Sequence, residues 1–370
     1  MITIRPSNFK CTVFLALLIA FQLTTGCAQP KSELTVKIEK ILHEQFDAEG
    51  PGFAMMVAQH GEILYHGAYG KADLELDAPM RTDNVFRIAS LTKQFTAVAI
   101  LQLASQNKLS LQDDITAFLP DYPQSGITVE HLLTHTSGIS DFTKLPSFNA
   151  EVARQSLTVP QQIDRFKDEP LNSEPGSSYM YSNSNYTLLG SVIEAVSELS
   201  YQAYMERHVF KPFNLNRTYY GQDASIIERR ANGYSKSEDS YINAAYVNDM
   251  LPYASGALLS TTNDLYTWHK ALVSGQIVDT ALLEKAQSPF TLSSGEESGY
   301  GYGWQIGIMN DQSVIFHSGA INGFLCDMLY LPESDLFVVA LTNCDCNPPA
   351  PSIIQIVDLL VKKGEANPGE

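Results

Sequence analysis

The sequence predicts an α/β (α+β) fold: an antiparallel sheet assembled from both chain ends, flanked by helices, with an inserted and mostly helical domain. Three patterns carry this expectation. Strand-like apolar runs separated by turn signals gather near the two ends, around 53–69 and 302–341. Helical spacing of apolar residues brackets those runs. The long middle, about 85–290, is dominated by helical patterns and Pro/Gly/Ser/Asn loops. The expected division is therefore 27–84 with 291–370 as the sheet-containing domain and 85–290 as the helical one.

Taken in chain order, the first residues stand apart from the fold. Arg5 and Lys10 precede an apolar run from Cys11 to Leu23, which has the length of a signal-peptide core and is short for a membrane span. Residues 1–26 are read as an export signal. Leu23-Thr24-Thr25-Gly26-Cys27 resembles a bacterial lipobox, which would make Cys27 the lipidated first residue of the mature chain. Thr24 and Thr25 are unusual there, so ordinary secretion is the alternative. Ala28 supplies no acidic retention signal, and the resemblance then implies the outer membrane.

Leu34, Ile38, Ile41, Leu42 and Phe46 predict an amphipathic helix that Gly50-Pro51-Gly52 terminates. Phe53 to Ala58, the His60-Gly61 turn and Ile63 to Tyr69 predict a strand hairpin. Near the other end, Tyr302-Trp304-Ile306-Ile308, Val314-Phe316, Phe324-Leu331 and Leu336-Leu341 predict further strands, and Ile353 to Val361 a closing helix. The turn Pro332-Glu333-Ser334-Asp335 sets a register in which Leu331 faces Leu336 and Cys326 faces Leu341. Cys344 and Cys346 then point away from the face of Cys326, which disfavours a disulfide from Cys326. The three remaining cysteines are read as small buried or loop thiols, with a metal or redox pair at Cys344-Asp345-Cys346 as the less favoured alternative.

At 370 residues, with 44% hydrophobic and 18% charged residues, the chain can bury a real core and lies outside the disordered class. Its 24 basic against 41 acidic residues give a net charge of -17. Such a field repels phosphate backbones, so nucleic acid is excluded as a partner. Loss of Arg5 and Lys10 with the signal deepens the charge to -19.

Candidate chemistry begins at Phe86-Arg87-Ile88-Ala89-Ser90-Leu91-Thr92-Lys93. This segment is expected to open a helix that is apolar almost all round to Ala104 and hence buried. Ser90 and Lys93 share a face, three residues apart. A serine at a helix start meets unsatisfied amides and the positive end of the helix dipole. A lysine in an apolar stretch is desolvated and becomes a usable base. The bland reading is an N-cap serine and a snorkelling lysine. The same spacing at Ser7/Lys10 falls in the signal, and at Ser105/Lys108 at a helix end.

Two further motifs follow. Tyr181-Ser182-Asn183 precedes a helical run from Tyr186 to Val196. A tyrosine near a lysine can become a phenolate and relay protons, and Asn183 offers a donor and an acceptor to a substrate amide. Tyr241/Asn243 and Tyr246/Asn248 match the same bare pattern. His317-Ser318-Gly319-Ala320 lies at a strand end, where glycine allows close backbone approach and the bland alternative is a turn. His131 and His135 have zinc-like spacing but no intervening glutamate after the first histidine and no third ligand, so a structural role is expected. Trp268-His269 reads as helix surface or groove lining. The carboxylates are scattered rather than paired, which leaves a glycosidase unsupported.

Ser90-x-x-Lys93, Tyr181-Ser182-Asn183 and His317-Ser318-Gly319, in this order and with 91 positions separating Ser90 from Tyr181, resemble the three active-site motifs of the penicillin-recognising serine hydrolases. The branch holding class C β-lactamases, certain DD-carboxypeptidases, D-aminopeptidases and related esterases is the most similar. Leu132-Leu133-Thr134-His135-Thr136-Ser137-Gly138, Gly299-Tyr300-Gly301-Tyr302-Gly303-Trp304 and Gly319-Ala320-Ile321-Asn322-Gly323-Phe324 are similar to further family phrases. The resemblance covers about residues 33 to 362.

The resemblance implies a site in the groove between the two domains. Ser90 would be the nucleophile, Lys93 its base and Tyr181 the proton relay. Backbone amides of Ser90 and Ala320 would form the oxyanion hole, and Asn183, His317, Ser318 and Gly319 would hold substrate. An acyl-enzyme without metal or cofactor follows. β-Lactamases of this branch usually carry Lys-Thr-Gly as the third motif. Here His317 is cationic only at lower pH, and Ser318 keeps the hydroxyl of the threonine. A DD-peptidase- or esterase-like activity on D-peptides or small esters is therefore expected, with a true β-lactamase and a catalytically silent cell-wall-fragment-binding lipoprotein as alternatives. Peptidoglycan and, through the lipid anchor, a membrane are the expected partners, at the cell envelope.

Overall fold

The computed structural model describes residues 31–221 and 224–365. The export segment, Cys27 and the Ser7/Lys10 pair lie outside the described residues. Among the described residues no helix is long and apolar enough to cross a membrane.

Six strands form the main sheet in the spatial order 305–309, 312–321, 324–331, 336–342, 53–59, 62–69, each antiparallel to its neighbour. The two ends of the chain meet where Phe53 pairs with Thr342 and Gln59 with Leu336. Leu331 faces Leu336 and Cys326 faces Leu341, the register expected from alternation. Strands Phe53–Gln59 and Leu336–Thr342 are apolar on both sides because both sheet faces are covered. Met55, Val57, Val338 and Ala340 pack against Ile38, Leu42, Ile356 and Val357 of helices Glu33–Gln45 and Ala350–Glu365. Ala54, Met56, Val339 and Leu341 belong to the larger core that runs on into the helical region. Ser32 caps the first helix by accepting from the Thr35 amide at 3.0 Å.

The helical region is built around Thr92–Ser105, whose residues are buried on nearly every side. Helix Asn183–Ser197 packs beside it. A small sheet of Phe86–Arg87, Leu258–Ser260 and Tyr219–Tyr220 stands at the junction with the main sheet.

Four local expectations need correction. Residues 86–91 are not continuous helix: Phe86 and Arg87 pair with Ser260 and Leu259, a 3-10 turn covers Ala89–Leu91, and the α-helix starts at Thr92. Ala89 has φ 43°, a left-handed conformation that costs a non-glycine residue about 1–3 kcal/mol and breaks helical continuity there. Tyr302 and Trp304 precede their strand, which runs Gln305–Met309; the tight approach of Gly303 to the Lys93 carbonyl, where a Cβ would sit 2.9 Å away, holds them in a turn. Trp268 and His269 are buried rather than exposed or groove-lining, because their helix Thr262–Val273 lies against the sheet, with Trp268 stacked on Phe95 at 4.2 Å and His269 on Phe337 at 4.5 Å. Cys344 and Cys346 form a disulfide rather than remaining thiols. Their chain leaves the strand at Thr342 and turns, which brings the two Cα atoms to 5.1 Å, closer than an extended strand holds residues two apart.

Candidate active site

The 3-10 turn at Ala89–Leu91 and the first turn of the following helix set Ser90 and Lys93 together, with Lys93 Nζ 3.2 Å from Ser90 Oγ. The same nitrogen reaches Asn183 Oδ1 at 2.8 Å and the Ser255 carbonyl at 2.9 Å. Lys93 is fully buried. Burial pulls its pKa down to about 7 against a smaller opposing pull from Asp141. Near neutral pH it is therefore in part a free amine.

Tyr181 donates its hydroxyl to Ser90 Oγ at 2.9 Å. Burial raises its pKa, and the Ser90 hydrogen bond offsets only part of that. The expectation of an accessible phenolate gives way to a neutral phenol, since its ring is walled by other rings. His135 lies 4.4 Å from it, Tyr300 6.2 Å and His317 6.1 Å, centroid to centroid.

Asn183 opens helix Asn183–Ser197. Its carbonyl accepts from Lys93, and its amide nitrogen stands 3.4 Å from both Asp141 oxygens. Both ends of the amide are thus engaged before any substrate arrives.

The third motif behaves differently. His317 is buried and its Nδ1 donates to the Ser318 carbonyl at 2.7 Å, so its Nε2 accepts from the Tyr300 hydroxyl at 2.9 Å. Burial, reinforced by Lys93, lowers its pKa to about 3. His317 is consequently neutral across the physiological range rather than a low-pH cation. The Ser318 side chain bonds to Asp327, its partner on the next strand. Neither His317 nor Ser318 lines the groove, whereas Ala320 does. Gly319 has a steric reason: a Cβ there would come within 2.5 Å of Cys326 Sγ, 2.7 Å of the Ile88 carbonyl and 3.2 Å of the Ser90 amide nitrogen. The strand can press against the Ser90 turn only without that carbon.

The groove is a cavity of about 490 Å³ with Ser90, Asn183 and Ser255 on one side and Phe142, Val247, Leu251 and Ile321 among its apolar lining. Several contributors carried no local signal. Ser255 lies in an ordinary-looking 3-10 turn, Tyr253–Ser255. Asp141 and Tyr300 act through Asn183 and His317; Tyr300 and His135 could have been found in the phrases quoted above. Cys326, the one free cysteine among the described residues, donates its thiol to the Ile88 carbonyl at 3.1 Å, beneath the Ser90 turn. The two spaced histidines part ways. His131 Nδ1 accepts from the Thr128 amide in a capping box, whereas His135 Nδ1 accepts from the Ser182 amide.

The family model described as Beta-lactamase matches residues 38–361. Penicillin-binding protein 4* of Bacillus subtilis is 31% identical over 309 residues, covering 78% of this chain and 67% of that protein. Protein flp of Staphylococcus aureus is 27% identical over 317 residues, 83% of this chain and 62% of that one. The chain thus spans about two thirds or less of the length of these curated relatives. Among solved structures, D-amino acid amidase from Ochrobactrum anthropi with L-phenylalanine amide superposes with a TM-score of 0.78 at 25% identity, covering 90% of this chain and all of that one. The octameric penicillin-binding protein homologue from Pyrococcus abyssi gives 0.74 at 27% identity, over 89% and 77% of the two chains.

Proposed function

The chain belongs to the beta-lactamase family of serine hydrolases, and from that premise we propose that it cleaves small amides or esters, D-amino-acid peptides among them, through an acyl-enzyme on Ser90. One observation carries the reading: a buried lysine with a pKa pulled to about 7 sits 3.2 Å from a serine hydroxyl that also holds a tyrosine. A binding protein gains nothing from desolvating a lysine there. The similarity to a penicillin-binding protein and to a D-amino acid amidase supports the substrate class.

In the proposed cycle the neutral Lys93 amine donates its hydrogens to Asn183 and Ser255 and turns its lone pair to Ser90, taking the hydroxyl proton as Oγ bonds to the acyl carbon. The Ser90 and Ala320 amides face the developing oxyanion. Tyr181 delivers a proton to the leaving nitrogen or oxygen and regains one from the Lys93 ammonium. Water then attacks the ester of Ser90, the acid departs, and Ser90 recovers its proton. Gly319 positions the strand; Asn183 positions Lys93 and borders the substrate. The export segment and Cys27 extend the proposal to a lipid-anchored enzyme at the outer membrane facing the periplasm, with peptidoglycan as a candidate partner; fatty-acid labelling lost in Cys27→Ala tests that part.

Intact mass spectrometry after incubation with a fluorophosphonate, and separately with a penicillin, tests the nucleophile. The expected result is a one-to-one adduct in the wild type that Ser90→Ala lacks. A long-lived penicillin adduct favours a DD-peptidase-like site, and rapid turnover of penicillin a β-lactamase. No labelling by either reagent between about pH 6 and 9, the range over which such bases are tuned, returns the chain to the silent binding reading.

A further inference from the structure

The wall facing the catalytic cluster decides what the groove admits. Ala153, Val247 and Leu251 form a small apolar cluster of their own, which Phe148 and Ile321 join to the larger core, and all five line the cavity. Three distant stretches of chain supply it. No charged side chain lines this cavity among the described residues.

The nearest charges are turned elsewhere. Lys93 is held by Asn183 and Ser255. Asp141 stands against Asn183 and 3.9 Å from Lys144. Arg87 donates to the Val247 carbonyl at 3.1 Å from behind the wall, and it and Arg230 approach Asp249 at 3.6 and 2.8 Å. His317 is neutral and faces Tyr300. A carboxylate entering this groove would lose its water and meet no cation in exchange, whereas an apolar group would trade water for Phe148, Val247 and Leu251.

We propose that the site selects substrates presenting an uncharged apolar group, aromatic or aliphatic, to the Phe148–Val247–Leu251 wall, and that it rejects substrates that place a carboxylate there. This rests on the acyl-enzyme reading above. It separates the candidate activities: neutral esters and amides are favoured, and peptides ending in a free carboxylate are poor substrates.

Two matched pairs test it in the mature protein. p-Nitrophenyl hexanoate against mono-p-nitrophenyl adipate places the charge on the acyl side; N-acetyl-D-phenylalanyl-D-alanine amide against its free acid places it on the leaving side. In each ester the Ser90 Oγ to acyl bond forms as the bond to p-nitrophenolate breaks, and water then releases the acid. The neutral member of both pairs is expected to lead in kcat/KM by about tenfold or more, a difference of about 1.4 kcal/mol. Asn322→Arg, at an exposed residue of the lining, is expected to narrow both gaps. A charged member that equals or exceeds its neutral partner in either pair overturns the proposal and points to the Arg87–Arg230 pair as a carboxylate reader. The fluorophosphonate adduct, measured on the same sample, keeps the two failures apart. An adduct on Ser90 with the wrong preference defeats this inference alone, and no adduct defeats the acyl-enzyme reading beneath it.

Discussion

The Ser90 turn and the His317–Gly319 strand are both short motifs on the groove's border, yet they contribute through different parts of the chain. At the Ser90 turn the side chains do the chemistry: Lys93 at 3.2 Å and Tyr181 at 2.9 Å each reach the Ser90 hydroxyl. On the strand the side chains of His317 and Ser318 are committed to Tyr300 and Asp327, and what reaches the Ser90 turn is backbone. A motif's residue types therefore need not all face the substrate. Some are there to let the main chain come close.

That contrast breaks most visibly at Lys93. Lys93→Met is expected to lower kcat/KM for an activated ester about a thousandfold or more, the scale of a lost general base; a fall of less than tenfold, measured with p-nitrophenyl esters, would place the base elsewhere. Tyr181→Phe comes next, with a loss of about a hundredfold on an anilide and a clearly smaller one on a p-nitrophenyl ester, whose leaving group needs no proton. Equal losses on the two would remove Tyr181 from proton delivery.

On the strand, Gly319→Ala is expected to cost activity without removing any reacting group, because the new carbon must displace the Ile88 carbonyl or Cys326. Overpacking of this kind typically costs about 1–3 kcal/mol of stability, readable in denaturant melts alongside kcat. His317→Gln should change kcat/KM by less than about tenfold, since its role passes through Tyr300. Wild-type profiles should show a single ionisation, near 7 and belonging to Lys93, that His317→Gln leaves in place, because burial pulls the His317 pKa down to about 3.

The remaining effect is one of stability. Lys93 has a folded pKa of about 7, below the ordinary lysine value of 10.5, so between those pH values the unfolded chain binds the extra proton. Stability contributed by this group rises with pH across that window and is lowest below it. The Tm of the wild type relative to Lys93→Met should accordingly climb from pH 7 to 10.

Much of this architecture is legible in local patterns. Alternation places Leu331 opposite Leu336 and Cys326 opposite Leu341, because a strand's side-chain period is two and the turn pins the register. Motif order and spacing single out Ser90, Lys93 and Tyr181 before any coordinates. What escapes is whatever depends on contacts remote in sequence. The break at Ala89 comes from pairing with Leu258–Ser260, about 170 residues away. Trp268 and His269 sit between Thr267 and Lys270, a neighbourhood that reads as surface until the sheet covers it. The apolar wall at Phe148, Val247 and Leu251 comes from stretches that carry no common pattern. His317 shows the same limit in chemical form: its residue type suggests a pH switch, and only burial against Tyr300 removes the charge.

If Lys93 is the neutral base of Ser90, the rate of Ser90 labelling by a fluorophosphonate across pH 5 to 10, read by intact mass, follows the titration of that lysine. The predicted profile rises tenfold per pH unit on its acid side, bends once near 7 and then stays level. A profile that is flat, or that keeps rising toward 10, would show that Lys93 does not control the nucleophile.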